Sequence, residues 1–272
     1  MITDSDQIAH TINKYYTNVA SDLVKKLPKT NTSFKTFIKQ MKNPVESFYC
    51  RLINTEEVSK IIETLDKKKT EDIYKIPIRI VKDLGEYISK PLAHIFNASF
   101  TQGIFPDKLK LAKIIPLYKG GDQSTLKNFR PISILPIFDK ILEKLMHVRL
   151  NSFIKKHKIL NNAQYGFQKH KSTSLALIDL LNKVSQSLKK KLFSCCVFLD
   201  LAKAFDTVSY EIMLQKLSHY GIRGVTNNWF KLYLSNRKQC VSVGNSLSTP
   251  LPINFGLLSW DLYFSFCTST IS

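Results

Sequence analysis

Residues 193–200 read Phe-Ser-Cys-Cys-Val-Phe-Leu-Asp, an almost unbroken apolar run that ends in a carboxylate. A short run of this kind reads as a strand covered on both faces. Such a strand needs sheet neighbours and cover on both sides, and it delivers Asp200 at its end. Within it, Cys195 and Cys196 read as small core residues.

Helical patterns surround that run. Residues 1–30 place Ile8, Ile12, Tyr15, Tyr16, Val19 and Leu23 at helical spacing, with Asp4 or Ser5 as cap. Residues 31–50 are polar and irregular and read as a linker. Thr55 opens a second helix with Val58, Ile61, Ile62 and Leu65 inward, and the lysines at 67–69 end it. A helix over 86–101 turns Ile88, Leu92, Ile95, Phe96 and Phe100 inward. Its regular part is predicted to start near Pro91 and to close at Gly103. Residues 111–118 predict a strand whose Pro116 requires an edge or a bend. A long helix follows over 137–156, with Ile141, Leu142, Leu145, Val148, Leu150 and Ile154 apolar. Further helices are expected over 173–188, 208–219 and 225–234, and a strand over 239–243. The fold class is α/β (α+β), with helices dominating the N-terminal half.

The chain carries 40 Lys and Arg against 21 Asp and Glu, a net charge of +19. Such an excess favours a polyanionic partner, nucleic acid first and an acidic membrane surface second; a basic but solvated surface is the bland alternative. Five cysteines without a CxxC pair argue against a disulfide framework or a structural zinc site and fit a reducing intracellular compartment. Short lysine runs at 67–69 and 189–191 make no compact import signal, so nucleus and cytoplasm both stay open. No apolar stretch is long enough to span a bilayer. The opening Met1-Ile2-Thr3-Asp4 lacks the layout of a secretory signal and reads as a start inside a larger chain.

A strand-end carboxylate in a basic protein suits a hard divalent cation such as magnesium, which shares oxygen ligands with substrate phosphates. Two such ions activate an attacking hydroxyl and stabilise a leaving pyrophosphate. Phe205, five residues beyond Asp200, is placed to lie under a nucleotide sugar and to exclude a 2′-hydroxyl. By spacing alone, Asp200 reads as readily as a capping or salt-bridged acid, Phe205 as core and Asp206 as a helix cap.

The string FLDLAKAFDTV at 198–208 resembles the first palm motif of non-LTR retrotransposon reverse transcriptases, jockey-like elements above all. Residues 114–150 and 164–177 resemble fingers segments of that family, 97–110 its upstream extension, and 216–239 the segment after the first palm motif. The resemblance is ordered and covers most of residues 55–256. It implies a right-hand polymerase fold: an N-terminal extension and linker over 1–54, fingers over 55–192 and a partial palm over 193–256. It further implies Asp200 as catalytic metal ligand, Phe205 as sugar-selecting residue with Leu201 beside the nucleotide, and Lys119, Arg130 and Lys169 near template or triphosphate. The implied cofactor is Mg2+. The implied partners are an RNA template, a DNA primer and deoxynucleoside triphosphates, with no membrane. Two segments depart from the pattern. Gln168 stands where the family often has Arg, so Lys169 or Lys171 must supply the charge. Residues 69–77 lack the family's Gly and Asp, which puts a tight turn there in doubt.

After Gly256 the family motif is lost. Residues 259–272, back-translated and read one frame over, give Leu-Gly-Pro-Leu-Leu-Phe-Leu-Leu-Tyr-Ile-Asn-Asp-Leu, which is the family's next motif. The expectation is a frame change between Gly256 and Ser259, an out-of-frame tail over 257–272, and loss of the Asp-Asp pair that completes a two-metal centre. As this chain, the polymerase is expected to be inactive and poorly soluble. A non-catalytic basic nucleic-acid-binding remnant is the competing reading.

Overall fold

Four helix starts follow local side-chain chemistry in the computed structural model, which describes residues 4–26, 36, 46–66, 71–166, 168–200 and 207–254. Asp4 caps α1 (Ser5–Lys25) by accepting from the amides of Asp6 and Gln7. Asn54 caps α2 (Thr55–Glu63) in a reciprocal box, its oxygen accepting from the Glu57 amide at 2.8 Å. Ser172 caps α6 (Thr173–Lys189), and Ser209 caps α7 (Tyr210–His219). Asp206, the other expected cap of α7, lies outside the described residues, as does most of the 31–50 linker.

The short α3 (Ile78–Asp83) runs almost directly into α4 (Gly85–Gln102). Pro91 sits inside α4 rather than at its regular start. It removes one rung of the ladder, toward the carbonyl of Tyr87, and that residue is exposed enough for water to take the bond. Gly103 ends α4 at φ +67°, where an added Cβ would also lie 2.7 Å from the Val225 carbonyl oxygen. Glycine is therefore required twice over.

The main core is helical. Val58 and Ile62 of α2, Phe96 and Phe100 of α4, Ile141, Leu142 and Leu145 of α5 (Ile137–Lys156), and Trp229 and Phe230 of α8 (Gly224–Leu234) are all buried in it. Trp229 stacks on Tyr233, meets Phe100 and Phe105 edge-on, and donates its indole N–H to Ser99 Oγ at 2.9 Å. That satisfied polar handle is what a buried indole requires. Two residues expected inward, Ile95 and Val148, are about half exposed because they sit at the margin of their helices' apolar stripes.

The sheet runs in the order β2 (Phe129–Ile134), β1 (Leu111–Tyr118), β3 (Lys238–Val243), β4 (Ser246–Leu247), with β5 (Leu251–Pro252) also on β3. β1 is antiparallel to β2 and parallel to β3. Its pairing with β3 ends at Ile114, so Pro116 falls where β1 is an edge, as its missing N–H demands. A second, smaller core joins Ile12 of α1 to Ala112, Ile114, Leu135 and Val241. The buried Asn13 carboxamide pins α1 there: its nitrogen donates to Ser248 Oγ and to the Gln239 and Thr249 carbonyls, and its oxygen accepts from Gln239 Nε2.

The apolar run expected as a covered strand is neither a strand nor covered. Residues 192–200 are irregular and exposed, with Phe193, Phe198 and Leu199 each more than four-fifths accessible. Cys195 and Cys196, expected in the core, are exposed too. Helix α6, immediately upstream, buries none of its residues. An extended apolar segment becomes a strand only where an adjoining edge pairs its N–H and C=O groups, and among the described residues none does so.

Candidate nucleic-acid and catalytic site

The β1–β2 hairpin presents two of the predicted site residues together. Its register sets Leu117 opposite Arg130 and Tyr118 opposite Phe129, and the Lys119 amide extends the ladder to the Asn128 carbonyl at 2.9 Å. Strand alternation then puts Lys119 and Arg130 on one face, as diagonal neighbours across the ladder, with Leu117 directly opposite Arg130. Both are exposed. The Tyr118 and Phe129 rings meet on the other face, 5.4 Å apart.

The connecting turn is built to be stiff. Gly120 and Gly121 both take positive φ. Asp122 accepts from the Ser124 amide at 2.9 Å, from Thr125 Oγ1 at 3.0 Å and from the Ser124 hydroxyl. These bonds, those from Ser124 foremost, hold the Asp122 carboxyl below its ordinary range. Asn128 closes the loop by donating to the Asp122 carbonyl at 2.8 Å.

A second basic element precedes α6. Lys171 donates to the Gln164 carbonyl at 3.0 Å and to that of Asn162, and its ammonium lies 4.9 Å from the Tyr165 ring centre. Its charge is thus committed to loop structure. Gln168, at the position where arginine was expected, donates to the Gln164 carbonyl at 3.0 Å. Lys169 is exposed and takes part in no described hydrogen bond or ion pair, so of the two lysines it is the one turned outward. Asp179, nearly two turns into α6, is held below its ordinary range by Lys183 first and by Tyr165 next.

Within the segment in doubt, a turn does form over residues 72–76, by other means. Asp72 is buried and accepts through one oxygen from the amides of Tyr74, at 2.9 Å, and Ile76, at 3.3 Å. Its other oxygen accepts from the Ile137 amide at 2.9 Å. Lys75 takes the left-handed conformation, φ 55°, that a glycine would otherwise supply. The Asp in this segment was visible in the sequence, but its reach to a residue 65 positions away was not.

Asp200 is exposed at the end of the uncovered 192–200 segment. Leu201 and Phe205 lie outside the described residues. A carboxylate oxygen suits a hard divalent ion. No group of three metal-ligating side chains stands together among the described residues, so Asp200 by itself does not make up a metal centre. No described helix is long and apolar enough to cross a membrane.

The hairpin's turn and second strand, the basic loop before α6 and the segment ending in Asp200 all fall within one family match. The model of the family described as reverse transcriptase (RNA-dependent DNA polymerase) matches residues 118–257, and the chain belongs to that family. Its similarity extends to named mobile-element polymerases. It is 28% identical over 236 residues to the probable RNA-directed DNA polymerase from transposon BS of Drosophila melanogaster, covering 84% of this chain and 25% of that protein. It is 32% identical over 165 residues to the RNA-directed DNA polymerase from mobile element jockey of the same organism, covering 60% of this chain and 18% of that protein. The jockey polymerase of Drosophila funebris is 30% identical over the same length. The chain spans a quarter or less of the length of these relatives. The mixed α/β architecture and the jockey-like resemblance expected from the sequence both stand.

Proposed function

We propose that this chain is the fingers and first palm segment of an RNA-directed DNA polymerase from a jockey-like mobile element. On this reading residues 55–192 are fingers, 193–256 a partial palm and 257–272 an out-of-frame tail. The observation that carries it is the exposed face of the β1–β2 hairpin. Lys119 and Arg130 share that face as diagonal neighbours, at the start of the family match, in a chain of net charge +19.

Lys119, Arg130 and Lys169 serve the phosphates of a template, a primer or an incoming deoxynucleoside triphosphate, since basic side chains neutralise phosphate and fix register. Leu201 and Phe205 lie against the nucleotide, Phe205 excluding a 2′-hydroxyl. Asp200 contributes one carboxylate to Mg2+ in the intact polymerase, where the ion supplies activation of the primer hydroxyl. Two-metal chemistry requires further carboxylates, so the 272-residue chain alone binds primed template without extending it.

The test is a primer-extension assay with the purified chain, an RNA template annealed to a DNA primer, deoxynucleoside triphosphates and Mg2+, read beside binding of the same duplex. Binding without extension is expected. Extension that Asp200→Asn abolishes would overturn the inactive-segment reading, and absence of binding would overturn the nucleic-acid reading.

A further inference from the structure

The loop at residues 72–76 touches both legs of the basic hairpin at its base. On one leg, Tyr74 donates its hydroxyl to the carbonyl of Lys108, three residues before β1 begins. On the other, Asp72 accepts from the amide of Ile137, three residues after β2 ends. The loop is closed on itself by the two further amides that Asp72 accepts.

Little slack lies between these anchor points and the strands. Ile134, Leu135, Pro136 and Ile137 are buried in succession, and Pro136 fixes φ at −51°. Pro136 occupies the cap position of α5 and has no side chain to offer the first helical N–H, so the Asp72 carboxylate meets a buried donor with no local cap. It also sits at the positive end of a 20-residue helix, where a negative charge is favoured. On the other leg, Pro106 and the 3-10 turn Asp107–Leu109 hold the chain just before β1.

We propose that Asp72 and Tyr74 form a clamp that sets the direction of the β1–β2 hairpin and so aims Lys119 and Arg130 at a nucleic-acid backbone. They are positioning residues at the hairpin base, Asp72 buried and Tyr74 partly exposed, acting through its tip. The inference rests on the nucleic-acid reading of that tip. The clamp accounts for how this chain holds its fingers without the glycine and aspartate that the family places before Ile76-Pro77.

The test combines a mutant cycle with hydrogen exchange on the full 272-residue chain. Asp72→Asn keeps one acceptor oxygen and loses the other, and Tyr74→Phe removes only a hydroxyl. Each is made alone and in a Lys119→Gln/Arg130→Gln background. The probe is a fluorescent RNA template annealed to a DNA primer. With the hairpin cations present, each clamp variant is expected to weaken binding about five- to tenfold; without them the loss falls below about twofold. Equal losses in both backgrounds, or no loss in either variant, would overturn the clamp. If the unsubstituted chain binds no duplex, the reading of the tip fails and exchange decides the clamp alone. Faster exchange over 111–118 and 129–134 in Tyr74→Phe, with α8 unchanged, supports it, and unchanged exchange in the hairpin refutes it.

Discussion

Arg237 donates from two guanidinium nitrogens to one oxygen of Asp139, at 3.1 and 3.4 Å, with both side chains sealed from solvent. The pair ties the start of β3 to the first turn of α5, where the helical core meets the sheet. Arg237 also donates to the Tyr233 carbonyl at 2.8 Å and lies 4.2 Å from the Tyr233 ring centre. The second Asp139 oxygen has no hydrogen-bond partner among the described residues. Burial foremost, and Glu143 one turn along, push the Asp139 carboxyl well above its ordinary range, and Arg237 only partly opposes them.

The sign of the resulting pH dependence is fixed by that upward shift. A carboxyl whose folded pKa exceeds its unfolded one costs nothing below about pH 4, and stability falls as pH rises towards the folded value. Asp139→Asn is expected to flatten the decline of urea-unfolding free energy between acid and neutral pH. Arg237→Met, which leaves a buried acid without its cation, is expected to cost about 3 kcal/mol at neutral pH.

Arg149 provides the opposite case. Its buried guanidinium donates to the carbonyls of Arg51, Leu52 and Leu145 and, at 2.7 Å, to Glu57. Burial works against the Glu57 charge, but hydrogen bonds from Arg149 and Arg51 outweigh it and hold the carboxyl below its ordinary range. This contribution is present above about pH 4.3 and is lost as pH falls through the folded value. Glu57→Gln is expected to reduce stability by about 1–2 kcal/mol at pH 7, with the difference from the unsubstituted chain vanishing in acid. A difference that persists at the lowest pH where the chain stays folded would contradict this.

The exposed apolar face of α6 and residues 192–200 predicts behaviour rather than stability. Leu181, Phe193, Phe198 and Leu199 are all more than half accessible. Exposed apolar surface of this kind promotes association. Phe193→Ser/Phe198→Ser is expected to raise the soluble concentration several-fold, with unfolding free energy changed by no more than about 0.5 kcal/mol. Sedimentation and urea titration of the two proteins, side by side, test both halves.

Long periodic elements were legible in the sequence. The α5 helix and β1 fall on the residues predicted for them, because 3.6- and 2-residue periods are properties of the local chain. β2 was missed: Phe-Arg-Pro-Ile-Ser-Ile carries an exposed Arg and a Pro, and its pairing with β1 supplies what its own pattern lacks. The run at 193–200 failed in the other direction, since its composition states a need for cover and says nothing of whether cover is present. Nothing in the local sequence marks Asp72, Asp139, Arg149 or Arg237 for burial; their burial depends on partners many residues away. Of the site, Lys119 and Arg130 come together as the hairpin requires, and Lys169 is exposed. Leu201 and Phe205 fall outside the described residues.

On the proposed function, the hairpin face grips phosphate. The most direct test is the salt dependence of binding to a primed RNA template, measured for the unsubstituted chain and for Lys119→Gln/Arg130→Gln. Each phosphate contact contributes roughly 0.7–0.9 to the slope of log affinity against log salt. The predicted result is a shallower slope in the variant, by roughly 1.4 to 1.8, with weaker binding at every salt concentration. An unchanged slope, with heparin competing as well as the duplex, would show that the hairpin face does not grip phosphate.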